Sequence, residues 1–212
     1  MREKIIVTVG RQFGSGGREI GKALAQRMGI PFYDRDLIKL ASEQSGYNKD
    51  ILEGADEQAA SVFLQSFANT AYTASSRISL PTEISINDKL FFAQADVIKK
   101  AAEEGPCVIV GRCADYILRE RDDCLNIFIH APLAVRIDRV MNLYRLGMSE
   151  HETKNTIIKT DKKRASYYNY YSNKEWSSIV SYDFTLNSSL LGVDRTTDVL
   201  FDIAMSFKEN EL

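Results

Sequence analysis

Short apolar runs alternate with longer amphipathic stretches along the chain. Three runs, residues 5–9, 107–110 and 125–129, are almost continuously apolar and rich in Val and Ile. Runs of this kind are typical of strands buried on both faces of a parallel sheet. Residues 31–33 and 184–187 are weaker strand candidates, so the pattern predicts about five strands.

Helical patterns fill most of the intervals between these runs. We predict helices over residues 17–28, 34–45, 113–119, 132–146 and 194–207. Strands that alternate with helices are the sequence signature of βαβ units. The chain is therefore predicted to have an α/β fold in three layers, with a parallel sheet of about five strands, and we expect residues 1–212 to form one domain.

Two segments do not belong to this alternation. Residues 47–104 are far longer than the usual connection between a helix and a strand, and we interpret them as a mostly helical insertion. Residues 149–176 join a charged helical stretch to a tyrosine-rich run, and we interpret them as a mobile lid. The lid candidates that carry charge are Asp161, Lys162, Lys163 and Arg164.

Composition narrows the choice of partner. The 212 residues include 27 Lys and Arg against 29 Asp and Glu, a net charge of -2. This balance lacks the global basic field of a nucleic-acid-binding protein, so we expect no nucleic-acid partner. No apolar stretch has the length of a membrane span, and the first apolar run is too short for a signal peptide, so we expect no membrane partner and a cytoplasmic location.

The stretch GRQFGSGGREIG at residues 10–21 follows the first strand and opens the first helix. Glycines let backbone N–H groups turn toward an anion, and the positive end of the helix dipole adds to the attraction. A tight turn without a ligand is the alternative. We predict a phosphate site formed by Gly14, Ser15, Gly16, Gly17, Arg18 and Glu19.

This stretch resembles the P-loops of small-molecule and nucleoside monophosphate kinases, especially shikimate kinase and cytidylate kinase. The likeness continues through Phe32-Tyr33-Asp34-Arg35-Asp36, and nearly all 212 residues are similar to the cytidylate kinase-like family. The resemblance implies a P-loop kinase-like fold, ATP and Mg2+ as cofactors, and a small phosphate acceptor. It also makes residues 47–104 the expected acceptor-binding insertion.

The loop departs from the usual P-loop at two positions. Gly17 stands where those kinases have a phosphate-binding Lys, and Arg18 stands where they have a magnesium-binding Ser or Thr. Arg18 is the first candidate for the missing cation, and Arg11 is the second, because a guanidinium binds phosphate oxygens in pairs. Phosphate binding is expected to survive, whereas metal-assisted transfer is weakened.

Asp34 and Asp36 follow a short predicted strand at the sheet edge where parallel sheets bind ligands. The resemblance implies that Asp34 orients magnesium or the accepting hydroxyl, and that Asp36 contacts the acceptor. Either carboxylate also suits the N-cap of the following helix. We keep both interpretations and favour Asp34 as the catalytic and metal-binding residue.

Arginines follow the later strands. Arg112, after Gly111, resembles the arginine that holds the acceptor in these kinases, although an ion pair with Asp115 is an alternative. Arg136 and Arg139 lie one helical turn apart. We predict that Arg136 binds the acceptor and that Arg164 acts on the transferred group, with a solvated helix face as the alternative.

These features predict a kinase that transfers a phosphoryl group from ATP to a nucleoside monophosphate or a similar small acceptor. One alternative is a kinase of a small hydroxylated metabolite, as in shikimate kinase. Another is a nucleotide- or anion-sensing protein without turnover, because the usual Lys and hydroxyl are missing. The tyrosines at 167–171 have packing as their simplest role, with stacking on a nucleobase as the second.

Overall fold

The computed structural model of the chain describes residues 5–36, 38, 86–144 and 147–209. Five strands and six α-helices lie in these ranges. The strands are β1 (Ile6–Arg11), β2 (Phe32–Tyr33), β3 (Cys107–Val110), β4 (Cys124–His130) and β5 (Phe184–Asn187). The helices are α1 (Gly17–Met28), α2 (Ile86–Glu104), α3 (Ala114–Ile117), α4 (Leu133–Arg139), α5 (Glu150–Ser172) and α6 (Gly192–Glu209).

The five strands form one parallel sheet in the order β2-β3-β1-β4-β5. The central strand β1 pairs with β3 and β4, in the registers Ile6 with Cys107 and Ile6 with Cys124. The first strand in sequence is therefore the middle of the sheet, and its carboxyl end lies between the carboxyl ends of β3 and β4. The predicted parallel five-stranded sheet is confirmed.

Helices and aromatic side chains cover the two faces of the sheet. On one face, Val7 and Val9 of β1 pack with Leu24 of α1 and Leu200 of α6 in a cluster of buried residues. On the other face, Phe128 of β4 contacts the rings of Trp176 and Tyr182 at centroid distances of 5.3 and 4.8 Å. The alternation along β1 sends successive side chains to opposite layers.

Several boundaries differ from those predicted. β1 runs on to Arg11, because Gly10 and Arg11 pair with Phe128 and Ile129 of β4. The predicted helix at 132–146 is divided into α4 and a π-helical turn at Val140–Tyr144. No helix of the described ranges has the length and hydropathy to cross a membrane.

The chain divides into two compact units. One comprises Met1–Arg35 and Ile98–Leu212, and it contains the whole sheet. The other comprises Asp36–Val97, in which the described part is the helical Asp36, Ile38 and the first two thirds of α2. Most of the predicted insertion at 47–104 and of the predicted helix at 34–45 lies outside the described residues.

Gly10 has no space for a side chain, which provides a test of the packing on β1. A Cβ atom at Gly10 would lie 2.7 Å from Phe128 Cδ2 and 3.0 Å from Tyr182 Cε1. We expect Gly10→Ala to lower the free energy of unfolding by about 1–3 kcal/mol, the usual cost of overpacking a core. Urea denaturation of the parent and the variant measures this change in the free energy of unfolding.

Gly105→Ala is the matched control, because a Cβ atom there meets nothing within 4 Å. Equal effects of the two substitutions would contradict the packing of Gly10 against the aromatic layer.

Candidate functional site

The loop between β1 and α1 has its backbone amides at the start of a helix. Gly14 and Gly16 have φ angles of 78° and 81°, in the left-handed region that favours glycine. The amide of Ile20 donates to the Gly16 carbonyl over 2.9 Å, in the first turn of α1. Amides that precede this bond have no acceptor within the helix. The amides of Gly17, Arg18 and Glu19 are therefore the donors that the helix start offers to an anion.

Contacts with β4 and β5 fix the first half of the loop. The Gln12 amide donates to the Ile129 carbonyl over 3.0 Å, and Ser188 Oγ donates to the Ser15 carbonyl over 2.5 Å. Ser15 is fully buried, and its hydroxyl donates to the Gln12 carbonyl over 2.9 Å. This bond gives the Ser15 hydroxyl a role in closing the loop, and its predicted part in a phosphate site stays a prediction.

Arg18 and Asp34 form an ion pair beside the loop. Arg18 Nε and Nη2 lie 2.8 and 2.6 Å from Asp34 Oδ2. The Asp34 side chain is 4% exposed, whereas that of Arg18 is 56% exposed. Two residues predicted separately, as phosphate ligand and metal ligand, are thus each other's partners in this structure.

Asp34 is also the residue to test for a fit to magnesium. Mg2+ is usually bound through one or two carboxylates, with water and substrate phosphates completing its shell. Asp34 supplies one buried carboxylate, and the described residues contain no group of three or more potential His, Cys, Asp or Glu ligands. The donor set therefore fits a metal held mainly by phosphate, with the Asp34 carboxylate, which Arg18 contacts at Oδ2, as a ligand from the protein.

Arg11 is the last residue of β1, and other arginines lie near it. Burial and the charges of Arg164 and Arg112 lower the pKa of the Arg11 guanidinium to about 9, and Asp34 opposes that shift. The Arg11 carbonyl accepts a hydrogen bond from Arg164 Nη1 over 3.0 Å. Three arginines from different elements therefore meet at the carboxyl edge of the sheet.

Arg112 lies in a turn of unusual backbone conformation. Gly111, Arg112 and Cys113 have φ angles of 84°, 57° and 55°. Two consecutive non-glycine residues in the left-handed region cost conformational energy, and such residues are concentrated at binding sites. The Arg112 guanidinium carbon lies 5.8 Å from the centroid of the Tyr167 ring.

The helix of the predicted lid, α5, is in direct contact with the loop between β1 and α1, residues 12–16, which we call the phosphate loop. Besides the bond from Arg164 to Arg11, the Phe13 amide donates to Asp161 Oδ1 over 2.8 Å. The Arg164 guanidinium carbon also lies 5.6 Å from the Phe13 ring centroid. Asp161 and Arg164 are three residues apart and share this face of the helix, whereas Lys162 and Lys163 are exposed.

Arg136, predicted to bind the acceptor, has other partners. Its Nη1 lies 2.5 Å from Asp161 Oδ2 and 3.2 Å from the Phe13 carbonyl. The side chains of Arg136 and Asp161 are 9% and 14% exposed. This nearly buried ion pair gives Arg136 a role in joining α4 to α5. Asp36, the other predicted acceptor contact, is an exposed residue of the second unit.

Arg139 lies over the phosphate loop. A Cβ atom at Gly16 would be 3.2 Å from both Arg139 Cζ and Arg139 Nη1. The two arginines of α4 therefore have different contacts, although they lie one turn apart. Arg136 is nearly buried with Asp161, whereas Arg139 lies close to Gly16. The sequence spacing indicates the pair, but it does not reveal which arginine faces the loop.

The tyrosine-rich end of α5 is anchored by packing. Tyr168 Oη donates to Asp115 Oδ2 over 2.6 Å, and the Tyr168 ring stacks on Tyr182 at 6.1 Å. The carboxyl group of Asp115 is therefore held by the Tyr168 hydroxyl. Tyr168 has the packing role considered from the sequence, whereas Tyr170 is 61% exposed.

Comparisons with known proteins agree with this architecture. The sequence matches the model of the cytidylate kinase-like family over residues 6–190. An uncharacterized protein from Eubacterium ventriosum is 28% identical in sequence, with a TM-score of 0.69, and the alignment covers 96% of this chain and 99% of that one. Among curated proteins, no sequence matches this chain.

The shikimate kinase from Bacteroides thetaiotaomicron is similar in fold. It is 14% identical, with a TM-score of 0.54, and the alignment covers 95% of this chain and 98% of that one. The three-layer P-loop kinase fold is confirmed by these matches. Family and fold together support a small-molecule kinase in general.

The buried pair between Arg136 and Asp161 predicts a large loss of stability when one partner is removed. We expect Asp161→Ala to lower the free energy of unfolding by about 3 kcal/mol, because it leaves the Arg136 charge buried without its carboxylate. Denaturant unfolding followed by circular dichroism measures the change.

Asp198→Ala is the matched control, since Asp198 pairs with Arg27 and both side chains are 44% exposed. An exposed pair contributes less than about 1 kcal/mol. A loss at Asp161 no larger than that at Asp198 would rule out the buried pair as a stabilising contact.

Asp115 gives a prediction on pH dependence. Burial raises the pKa of Asp115, and the hydrogen bond from Tyr168 only partly opposes this shift. The folded protein therefore favours the protonated acid, and stability is lost as the pH rises from the unfolded pKa through the raised folded pKa. We expect Asp115→Asn to remove this loss, while its amide oxygen still accepts from Tyr168.

The stability of Asp115→Asn relative to the parent should rise between about pH 4 and pH 8 in urea titrations, since the aspartic acid of the unfolded chain titrates near the lower limit. A constant difference between Asp115→Asn and the parent across this range would be the contrary result.

Proposed function

Because the chain belongs to the cytidylate kinase-like family, we propose that it transfers a phosphoryl group from ATP to a small anionic acceptor, with a nucleoside monophosphate as the first choice. The observation that carries the proposal is the meeting of Arg11, Arg112 and Arg164 beside the helix start of the phosphate loop. Like charges repel, so such a group is stabilised when an anion lies among its members.

Phosphoryl transfer depends mainly on positioning and on charge stabilisation. In this proposal the amides of Gly17, Arg18 and Glu19 hold the donor phosphates. Arg112 holds the anionic group of the acceptor from the turn after β3. Arg164 and Arg139 neutralise charge that develops on the transferred group, since they approach the loop from two different helices.

Asp34 is the proposed contact for the accepting hydroxyl or for magnesium. A bound Mg2+ ion would supply charge neutralisation on the donor phosphates. Release of Arg18 from Asp34 frees both the carboxylate and a guanidinium next to the loop. Arg18 thus remains a proposed phosphate ligand, available once its ion pair with Asp34 opens.

The metabolite-kinase alternative shares the donor loop and differs in the acceptor. A panel of nucleoside monophosphates, shikimate and small sugar acids, each supplied with ATP and Mg2+, separates the two by the rate of ADP formation. Turnover with a nucleoside monophosphate supports the first choice. ATP binding in calorimetry without ADP formation from any acceptor would instead favour the sensing protein.

The role of Arg112 is tested with the best acceptor from that panel. We expect Arg112→Met to lower kcat/KM for the acceptor by roughly 10- to 100-fold, because a charge-assisted hydrogen bond contributes about 1.5–3 kcal/mol. The affinity for ATP should change much less. Steady-state kinetics with each substrate varied in turn measures both effects.

Arg119→Met is the matched control, since Arg119 is an exposed arginine in the same region, 46% exposed beside Glu120. Parent-like acceptor kinetics in Arg112→Met would refute the assignment of Arg112 to the acceptor.

A further inference from the structure

At the start of α1, the Arg11 side chain occupies the space that a side chain at position 17 would need. A Cβ atom at Gly17 would lie 2.5 Å from Arg11 Cβ and 3.1 Å from Arg11 Cγ. The closest of these atoms is attached to the Arg11 main chain, so a side-chain rotation does not remove it. A residue with a side chain therefore does not fit at position 17 while Arg11 keeps this place.

The same arginine reaches across to the turn after β3. A Cβ atom at Gly111 would be 2.0 Å from Arg11 Nη1 and 2.9 Å from Arg11 Cζ. Gly111 also has a φ angle of 84°, which a glycine adopts without strain. The Arg11 side chain thus crosses Gly17 with its stem and lies against Gly111 with its guanidinium, so it joins the two turns that the proposed function assigns to donor and acceptor.

The charges around Arg11 favour an anion there. Arg164, Arg112 and Arg35 lie close enough to act on its charge, and Asp34 is the acid that opposes them. Asp34 is itself held by Arg18 over 2.6 Å. In a P-loop the lysine places one cation beside the backbone amides that bind phosphate. Arg11 has that position here: its stem lies over the first residue of the helix.

We propose that the cation of the phosphate loop comes from Arg11, the last residue of β1, instead of from a lysine at position 17. Position 17 is glycine so that the Arg11 side chain can cross it. We call this arrangement the exchange. Arg11 then binds the oxygens of a nucleoside triphosphate near the bond that transfer breaks. The identity of this anion rests on the proposed function. The steric exchange rests on the packing alone.

ATP affinity tests the charge of Arg11 without any need for turnover. We expect Arg11→Met to weaken ATP binding in calorimetry by roughly 10- to 100-fold, as expected for the loss of a charge-assisted hydrogen bond. Arg11→Lys should keep more of the affinity than Arg11→Met, and the surface control Arg119→Met should bind as the parent does. Parent-like binding of ATP by a folded Arg11→Met variant would overturn the assignment.

The exchange itself is tested with paired substitutions. Gly17→Lys should reduce both the melting temperature and ATP affinity, whereas Arg11→Gly combined with Gly17→Lys should bind ATP more tightly than Arg11→Gly alone. A folded double variant that binds no better than Arg11→Gly would overturn the exchange.

A smaller substitution tests the packing if the lysine variants do not fold. Alanine is normally better than glycine inside a helix, so the expected loss of melting temperature in Gly17→Ala has a steric cause. The loss should be clearly smaller when Arg11→Gly is also present. Equal losses in the parent and in the Arg11→Gly variant would show that the Arg11 side chain does not occupy the space at position 17. These stability results are independent of kinase activity, so the failure of the acceptor panel would leave them interpretable.

Discussion

Repulsion among arginines is the constraint around which the candidate site is arranged. Arg11, Arg112 and Arg164 come from β1, from the turn after β3 and from α5. Burial, and next the positive charges of the other two arginines, lower the pKa of Arg11. Proteins place like charges together at a cost that a bound anion offsets. The central position of β1 makes this meeting possible, because it brings the ends of β1 and β3 side by side.

The helix predicted as a lid contributes to this arrangement through fixed contacts. Asp161 accepts from the Phe13 amide and pairs with Arg136, while Arg164 donates to the Arg11 carbonyl. The tyrosine-rich end of the segment is held by Tyr168 on Asp115. These bonds connect α5 to both the phosphate loop and α3. Any closing motion of the segment at 149–176 has to begin from this docked state.

The sheet could be predicted because its strands are short apolar runs whose pattern depends on nearby residues alone. The end of β1 could not, because Gly10 and Arg11 have the composition of a loop, and their pairing depends on β4. The role of glycine at position 17 could not be predicted either, because it depends on how the Arg11 side chain packs. Sequence shows that the lysine is missing, but only the packing shows that the Arg11 stem occupies its place.

The partners of the charged residues also required the structure. Arg136 and Asp161 are 25 residues apart, so no local spacing connects them. Arg18 and Asp34 were identified as separate ligands of a phosphate and a metal, since a sequence pattern does not state which opposite charges meet first. The glycine turn itself could be predicted, because glycines before a helix are a local signal of positive φ angles and open amides.

A crystal structure with a non-hydrolysable ATP analogue and Mg2+ tests the central claim most directly. The account predicts that the phosphates lie on the amides of Gly17, Arg18 and Glu19, with the Arg11 guanidinium within hydrogen-bonding distance of the terminal phosphoryl group. Phosphates bound away from the helix start, or bound there with Arg11 directed elsewhere, would contradict it.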